Sequence, residues 1–309
     1  MKYTLSHLAG LILVAILQAG WLNTGYSIVH AQDRSEGFSI AFMPDVHFHD
    51  VFADFERAGF EGLPTYFKGE TKGASIRTME AQLTSTRLFN ENYFALIAAL
   101  EDAVQRGIKI IGLPGDFSDD GQPAHVSGFV KILNRYKEEH GLRFFTVPGN
   151  HDPTRPFTQE AGKRDYLGKN GRAQPIFSHH HPSCKESSGR TSPDDRSTEP
   201  RLYDVICTDQ VKELGYEGLL EWIGEHGIYP DENYIYFETP FSSYDSGNYQ
   251  FGQAKEEARF SNRLYEICHE GSGGVYRQPG YTRCFDVMDM SYVVEPIEDV
   301  WLMGIDANV

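Results

Sequence analysis

No two of the four cysteines, Cys184, Cys207, Cys268 and Cys284, stand in C-x-x-C spacing, which excludes the usual zinc-ribbon and dithiol redox patterns. All four lie in the second half of the chain, so the first half has no disulfide framework. No acidic residue occurs before Asp33, and residues 8–22 carry no charge. Basic residues are scarce throughout: 28 Lys and Arg against 44 Asp and Glu give a formal net charge of −16. A surface of that sign repels a nucleic-acid backbone on average, so a nucleic-acid polymer is not an expected partner. There is no internal repeat and no low-complexity tract.

The uncharged run at residues 8–22 follows Lys2, and Val29 and Ala31 place small residues three and one before Gln32. This layout predicts a Sec signal peptide, residues 1–31, cleaved between Ala31 and Gln32. The apolar run is shorter than the roughly 20 residues of a spanning helix, so cleavage is favoured over an uncleaved anchor. The expected protein is periplasmic or secreted, without stable membrane insertion. Four cysteines in that compartment predict two disulfides with three possible connectivities, the alternative being free buried thiols.

With 309 residues, 40% of them apolar, the chain can bury a sizeable core. Residues 38–43 read as a buried strand stopped by Pro44, and residues 50–83 as an irregular excursion. Asn90 is a candidate N-cap for a helix with Tyr93, Leu96, Ile97, Leu100 and Val104 on one face, closed by Gly107. A second strand spans 108–113. Pro123 opens a helix whose face is Val126, Phe129, Val130 and Leu133, and Gly141 ends it before a third strand at 143–147. The order β, α, β, α, β predicts an α/β fold with a largely parallel sheet. Beyond residue 153 the texture turns to Ser, Gly, Pro, His and Tyr, with helices expected at 211–227 and 255–269. Residues 32–153 therefore read as the N-terminal half of a domain, 154–295 as a disulfide-bearing insertion or cap, and 296–309 as a returning core strand.

Three short motifs follow the three predicted strands, at the carboxyl ends where open α/β sheets gather functional groups. Asp45-Val46-His47 offers a carboxylate and an imidazole two residues apart, a donor pair suited to zinc, manganese or iron. Gly115-Asp116-Phe117-Ser118-Asp119-Asp120-Gly121 presents a carboxylate after a sharp turn, able to bridge two cations. Gly149-Asn150-His151-Asp152 combines an amide oxygen for a metal with an imidazole for proton transfer. Each is weak alone; their joint placement after successive strands is the signal.

The series D-x-H, G-D-x-x-x-D-G and G-N-H-D resembles the calcineurin-like metallophosphoesterase superfamily over residues 37–153. The resemblance implies an α/β/β/α sandwich and a phosphomonoesterase or phosphodiesterase, possible nucleotide substrates included, that uses a hydroxide activated by two metal ions (Mn, Fe or Zn). It implies Asp45 and His47 at the first metal, Asp116 bridging, Asn150 at the second, His151 assisting the leaving group, and Asp119 orienting that histidine. Asp120 stands where Ser/Thr protein phosphatases carry a phosphate-gripping Arg, and Asp119 where purple acid phosphatases need a Tyr. A cyclic-nucleotide phosphodiesterase-like or nucleotidase-like subgroup remains, and the former is favoured because G-D-F-S-D-D-G resembles its turn.

The superfamily's later metal-binding His and its G-H-x-H motif have no counterpart here. The expectation is a sandwich incomplete at its C-terminal end, truncated before those histidines. The alternatives are an inactive metal-binding remnant, or an envelope binding protein that works through the insertion. His179, His180 and His181 are read as an exposed polar loop, because neighbours in extended chain face opposite ways. His49 and Asp50 are read as a polar rim of the site. Tyr229, Tyr234, Tyr236, Tyr244 and Tyr249 are read as packing residues, with base stacking in a cleft as the alternative.

Overall fold

A computed structural model describes residues 38–67, 69–184, 205–268 and 284–308. The segment expected to be a signal peptide lies outside the described residues. The elements below belong to one unit, Ser39–Val309. In chain order they are β1 (Ile40–Phe42), β2 (Leu63–Phe67), β3 (Glu70–Ala74), α1 (Met79–Leu83), α2 (Asn92–Gln105), β4 (Ile110–Pro114), α3 (Pro123–His140) and β5 (Arg143–Val147). There follow β6 (Gly162–Leu167), β7 (Ala173–Phe177), β8 (Ile206–Cys207), α4 (Tyr216–Ile223), β9 (Tyr236–Glu238) and α5 (Phe251–Glu257). The last are β10 (Leu264–Cys268), β11 (Cys284–Met288), β12 (Tyr292–Ile297) and β13 (Val300–Gly304).

The fold is α/β. Strands β1, β4 and β5 form a parallel sheet with β4 central. Ile110, Ile111 and Leu113 of β4 are buried on both faces, as a near-continuous apolar strand between two parallel neighbours should be. Helix α3 buries Val126, Phe129, Leu133 and Tyr136, one face at helical spacing, while Pro123 starts it and Gly141 in the left-handed region ends it. Helix α2 begins one residue later than expected, with Glu91 as its N-cap. Asn90, instead of capping it, accepts the Arg77 backbone N–H at 2.8 Å and donates to the Arg77 carbonyl at 3.0 Å.

A second sheet, antiparallel in the order β13-β12-β9, packs on the first. Residues alternate between buried and half-buried along β12, and the Tyr292 hydroxyl donates to the Thr146 carbonyl of β5 at 3.1 Å. The strand expected at 300–305 is β13, which belongs to this sheet. Residues 154–295, expected as one insertion, divide between two cores. Tyr166, Ile176, Ile206 and Val211 join Phe55 and Phe60 in a small cluster, whereas Leu219, Ile223, Phe237, Met288 and Val294 lie in the main core with β4 and α3.

Two expected helices are shorter than their patterns. Residues 211–227 keep a helix only at α4, because His226 and Gly227 leave helical geometry, Gly227 at φ 106°. In 255–269 the helix stops at Glu257, and Leu264–Cys268 is a strand paired antiparallel with β11. Cys184 and Cys207 form a disulfide that ties the segment after β7 to β8. The β10–β11 register sets Cys268 opposite Cys284. No helix among the described residues is long and apolar enough to cross a membrane.

Candidate metal centre

The loop after β1 runs alongside the loop after β4. The backbone N–H groups of Asp45, His47 and Phe48 donate to the carbonyls of Gly115, Asp116 and Phe117 at 3.3, 2.7 and 2.9 Å. Asp45, His47, Asp116 and Asp120 all have positive φ, between 42° and 62°. Each such non-glycine residue costs on the order of 1 kcal/mol or more, and strain of this kind collects where side-chain direction matters. The third turn closes against the second with no room to spare: a Cβ on Gly149 would sit 2.2 Å from Asp116 Oδ1.

Asp152, fully buried, holds these turns together. Its carboxylate accepts the N–H groups of Gly149 and Ser118 and the Ser118 hydroxyl, each at 2.8 Å, and the Phe117 N–H at 3.3 Å. Burial outweighs these bonds and pushes its carboxyl up to about 7.

The structure brings Asp45, His47 and Asp116 together. His47 Nε2 lies 4.0 Å from Asp45 Oδ1 and 3.7 Å from Asp116 Oδ2. These separations are too long for hydrogen bonds. They suit ligands sharing one ion, since donors each about 2.1 Å from a metal sit roughly 3.4 Å apart in a tetrahedral shell. Burial also lowers the His47 pKa, which favours the neutral imidazole a metal requires. Its Nδ1 is buried without a hydrogen-bond partner among the described residues. Two carboxylates and a neutral imidazole with ligand atoms within 4.8 Å fit a divalent transition metal. Asn150 is exposed on the turn beside this group.

His151 stands next to them. Its backbone N–H donates to Asp116 Oδ1 at 2.8 Å, and its ring centroid is 5.1 Å from that of His47. Its Nδ1 lies 2.6 Å from Asp120 Oδ1. A carboxylate only accepts, so Nδ1 carries the hydrogen and Nε2 is left for chemistry. This bond is the main reason the His151 pKa is raised.

The carboxylate hydrogen-bonded to His151 in the structure is Asp120, where Asp119 was expected. The left-handed turn at Asp120 aims its side chain at His151. Asp119 is directed inward, where its carboxylate meets His49 Nδ1 at 3.2 Å, Arg77 at 3.2 Å and Arg87 at 2.9 Å. Burial opposes its ionisation, but Lys163, His49 and Arg77 together hold it well below the usual carboxylate range.

His49 is likewise no rim residue. It is fully buried, with Nε2 on the Ser75 carbonyl at 2.7 Å. His49, Asp119 and His125 form a second group of ligand type. Its ring nitrogens already have partners, since His125 accepts the Asp50 N–H at 3.0 Å and meets Tyr166 Oη at 3.0 Å. With Arg77 at 3.2 Å from the same carboxylate, that group is a buried hydrogen-bond network.

Arg87, Lys163, Arg77 and Asp165 are missing from the sequence-derived set. Lys163 of β6 binds Asp120 Oδ2, and Arg77 forms a two-bond pair with Asp165 at 2.7 and 2.6 Å. Arg77 and Arg87 lie on either side of α1, and Lys163 and Asp165 lie on β6, none in a local motif, so no sequence signal marked them. The histidine run does not converge on one ion: His179 pairs with Asp209 at 3.1 Å, His180 is exposed, and His181 stacks on Phe177 at 4.3 Å. Tyr236, Tyr244 and Tyr249 pack on one another, and Tyr229 and Tyr234 belong to the main core.

Residues 38–266 match the family model described as calcineurin-like phosphoesterase. No curated protein matches the chain.

Proposed function

This chain belongs to the calcineurin-like phosphoesterases, hydrolases acting on phosphoric esters, and from that premise we propose that it cleaves small phosphate esters, nucleotides included, with two divalent or transition metal ions. Asp45, His47 and Asp116 would hold the first ion, and Asp116 with Asn150 would hold the second. Bound there, Mn, Fe or Zn would supply Lewis-acid charge and a hydroxide nucleophile at neutral pH. His151, oriented through Nδ1 by Asp120, delivers a proton from Nε2 to the leaving oxygen. The observation that carries this reading is the convergence of Asp45, His47 and Asp116 within ligand distance at the ends of β1 and β4, with His151 hydrogen-bonded to Asp116 beside them.

The proposal includes export, with cleavage between Ala31 and Gln32. The Cys184–Cys207 disulfide supports it, because such bonds persist in oxidising compartments.

Metal analysis of the purified protein, with assays on p-nitrophenyl phosphate and bis(p-nitrophenyl) phosphate, tests the reading. Two tightly bound transition metals per chain with turnover of either ester is the expected result. Protein that takes up no metal and hydrolyses neither ester would overturn it.

A further inference from the structure

Arg87 reaches the site from the segment between α1 and α2, outside all three motifs. Among the described residues its side chain makes hydrogen bonds through one amino group only. That group donates to Asp119 Oδ1 at 2.9 Å and Asp120 Oδ1 at 3.2 Å, and lies 3.3 Å from His151 Nδ1. Its Nε and second amino group have no hydrogen-bond partner among the described residues. The guanidinium rests over the Phe89 ring at 4.9 Å, and its side chain is 19% exposed.

The two carboxylates do not depend on Arg87 for countercharge. Asp119 is reached by Arg77 and His49, and Asp120 by Lys163. Arg87 instead stands 3.3 Å from the His151 ring, which meets the His47 ring edge-on at 5.1 Å. A guanidinium with spare donors thus stands beside the point where the candidate metal ligands and the candidate proton donor meet.

We infer that Arg87 is a substrate-binding residue whose free guanidinium donors grip a non-bridging oxygen of the phosphoryl group and bias the site toward phosphomonoesters. The inference rests on the phosphoester-hydrolase reading above. A guanidinium matches phosphate oxygens in geometry and charge. A monoester phosphoryl group offers three non-bridging oxygens and a charge of about −1.5 to −2. A diester has one such oxygen fewer and a single negative charge, so it has less for the arginine to hold. This departs from the cyclic-nucleotide-like expectation for the turn.

The test compares metal-loaded wild type, Arg87→Ala and Arg87→Lys in two measurements. Calorimetric titration with inorganic phosphate should show affinity falling roughly 10- to 100-fold in Arg87→Ala, with part regained in Arg87→Lys, while affinity for dimethyl phosphate changes little. In steady-state assays, kcat/KM for p-nitrophenyl phosphate should fall by about the same factor, and that for bis(p-nitrophenyl) phosphate by much less. Unchanged phosphate affinity, or equal losses on both esters, would overturn the inference and leave Arg87 as a support for Asp119 and Asp120. A wild type that turns over neither ester but binds phosphate in an Arg87-dependent way would refute the hydrolase reading and leave the assignment of Arg87 standing.

Discussion

Asp120 and His151 share a 2.6 Å hydrogen bond that joins the turn after β4 to the turn after β5. The bond fixes both the tautomer and the direction of the histidine. Lys163 holds the other oxygen of the same carboxylate. His151 is thus aimed by a residue that is itself held from a third segment of the chain.

Asp120→Asn and Asp119→Asn should separate two roles that neighbouring carboxylates conceal. Asp120→Asn is expected to lower kcat by about 10²-fold or more with little change in KM, since only the orientation and protonation of the acid are lost. Asp119→Asn removes the anion between buried Arg77 and His49 and should reduce unfolding free energy by roughly 3–5 kcal/mol. Steady-state kinetics paired with denaturant titration checks both. An Asp119→Asn protein of normal stability and crippled kcat would reverse the assignment.

Metal should stabilise the protein through His47. With the ion at about 100 times its dissociation constant, linkage adds roughly 2.7 kcal/mol to unfolding. Melting curves with and without added Mn or Zn should therefore diverge for wild type and coincide for His47→Ala, and a chelator should return the wild type to the lower curve.

Gly149→Ala should damage the centre although alanine adds one methyl group. The new Cβ would lie 2.2 Å from Asp116 Oδ1 and 2.3 Å from Asp116 N, so the turn or the carboxylate must shift. Overpacking of this kind costs about 1–3 kcal/mol. The measurable result is weakened metal uptake together with a lower melting temperature; normal metal affinity would show that the turn yields elsewhere.

His226 should make the fold acid-sensitive. Burial, with Lys137 adding to it, lowers its pKa from 6.5 to about 4. The unfolded chain therefore takes up the proton more readily than the folded one. Stability is full above about pH 6.5 and declines as pH falls toward 4, by roughly 3 kcal/mol in all. His226→Leu should remove that component, so its stability profile over pH 4–6.5 should be flatter than that of wild type in parallel denaturant titrations.

The parallel sheet was legible because its signals are local. Residues 143–147 form an apolar run between Gly141 and Pro148, and β5 occupies those residues. Pro123 and Gly141 bound α3 as helix-end chemistry predicts. Asp45, His47 and Asp116, which the structure brings together, could be picked out because they lie in the turns that follow β1 and β4. The choice between Asp119 and Asp120 was hidden, since it depends on a positive φ at one residue of a turn, which composition does not encode. Arg87 and Lys163 were hidden for another reason: they join Asp120 across 33 and 43 residues of sequence. The strand at Leu264–Cys268 was mistaken for helix because its partner, Cys284–Met288, was too distant for a local pattern to register.

The contact from Lys163 to Asp120 also sets a limit on how the protein can be cut or recombined. β6 carries one of the two cations on Asp120, and its removal would leave that buried carboxylate beside His151 with Arg87 alone at 3.2 Å. A shortened protein lacking residues 154–211, or a chimera that exchanges them for another segment, would need a replacement positive charge at that one point to keep both oxygens of Asp120 neutralised. The hydrogen bonds that run from β6 through Asp120 to His151 thus join the segment after β5 to the turns after β4 and β5, so the two must change together.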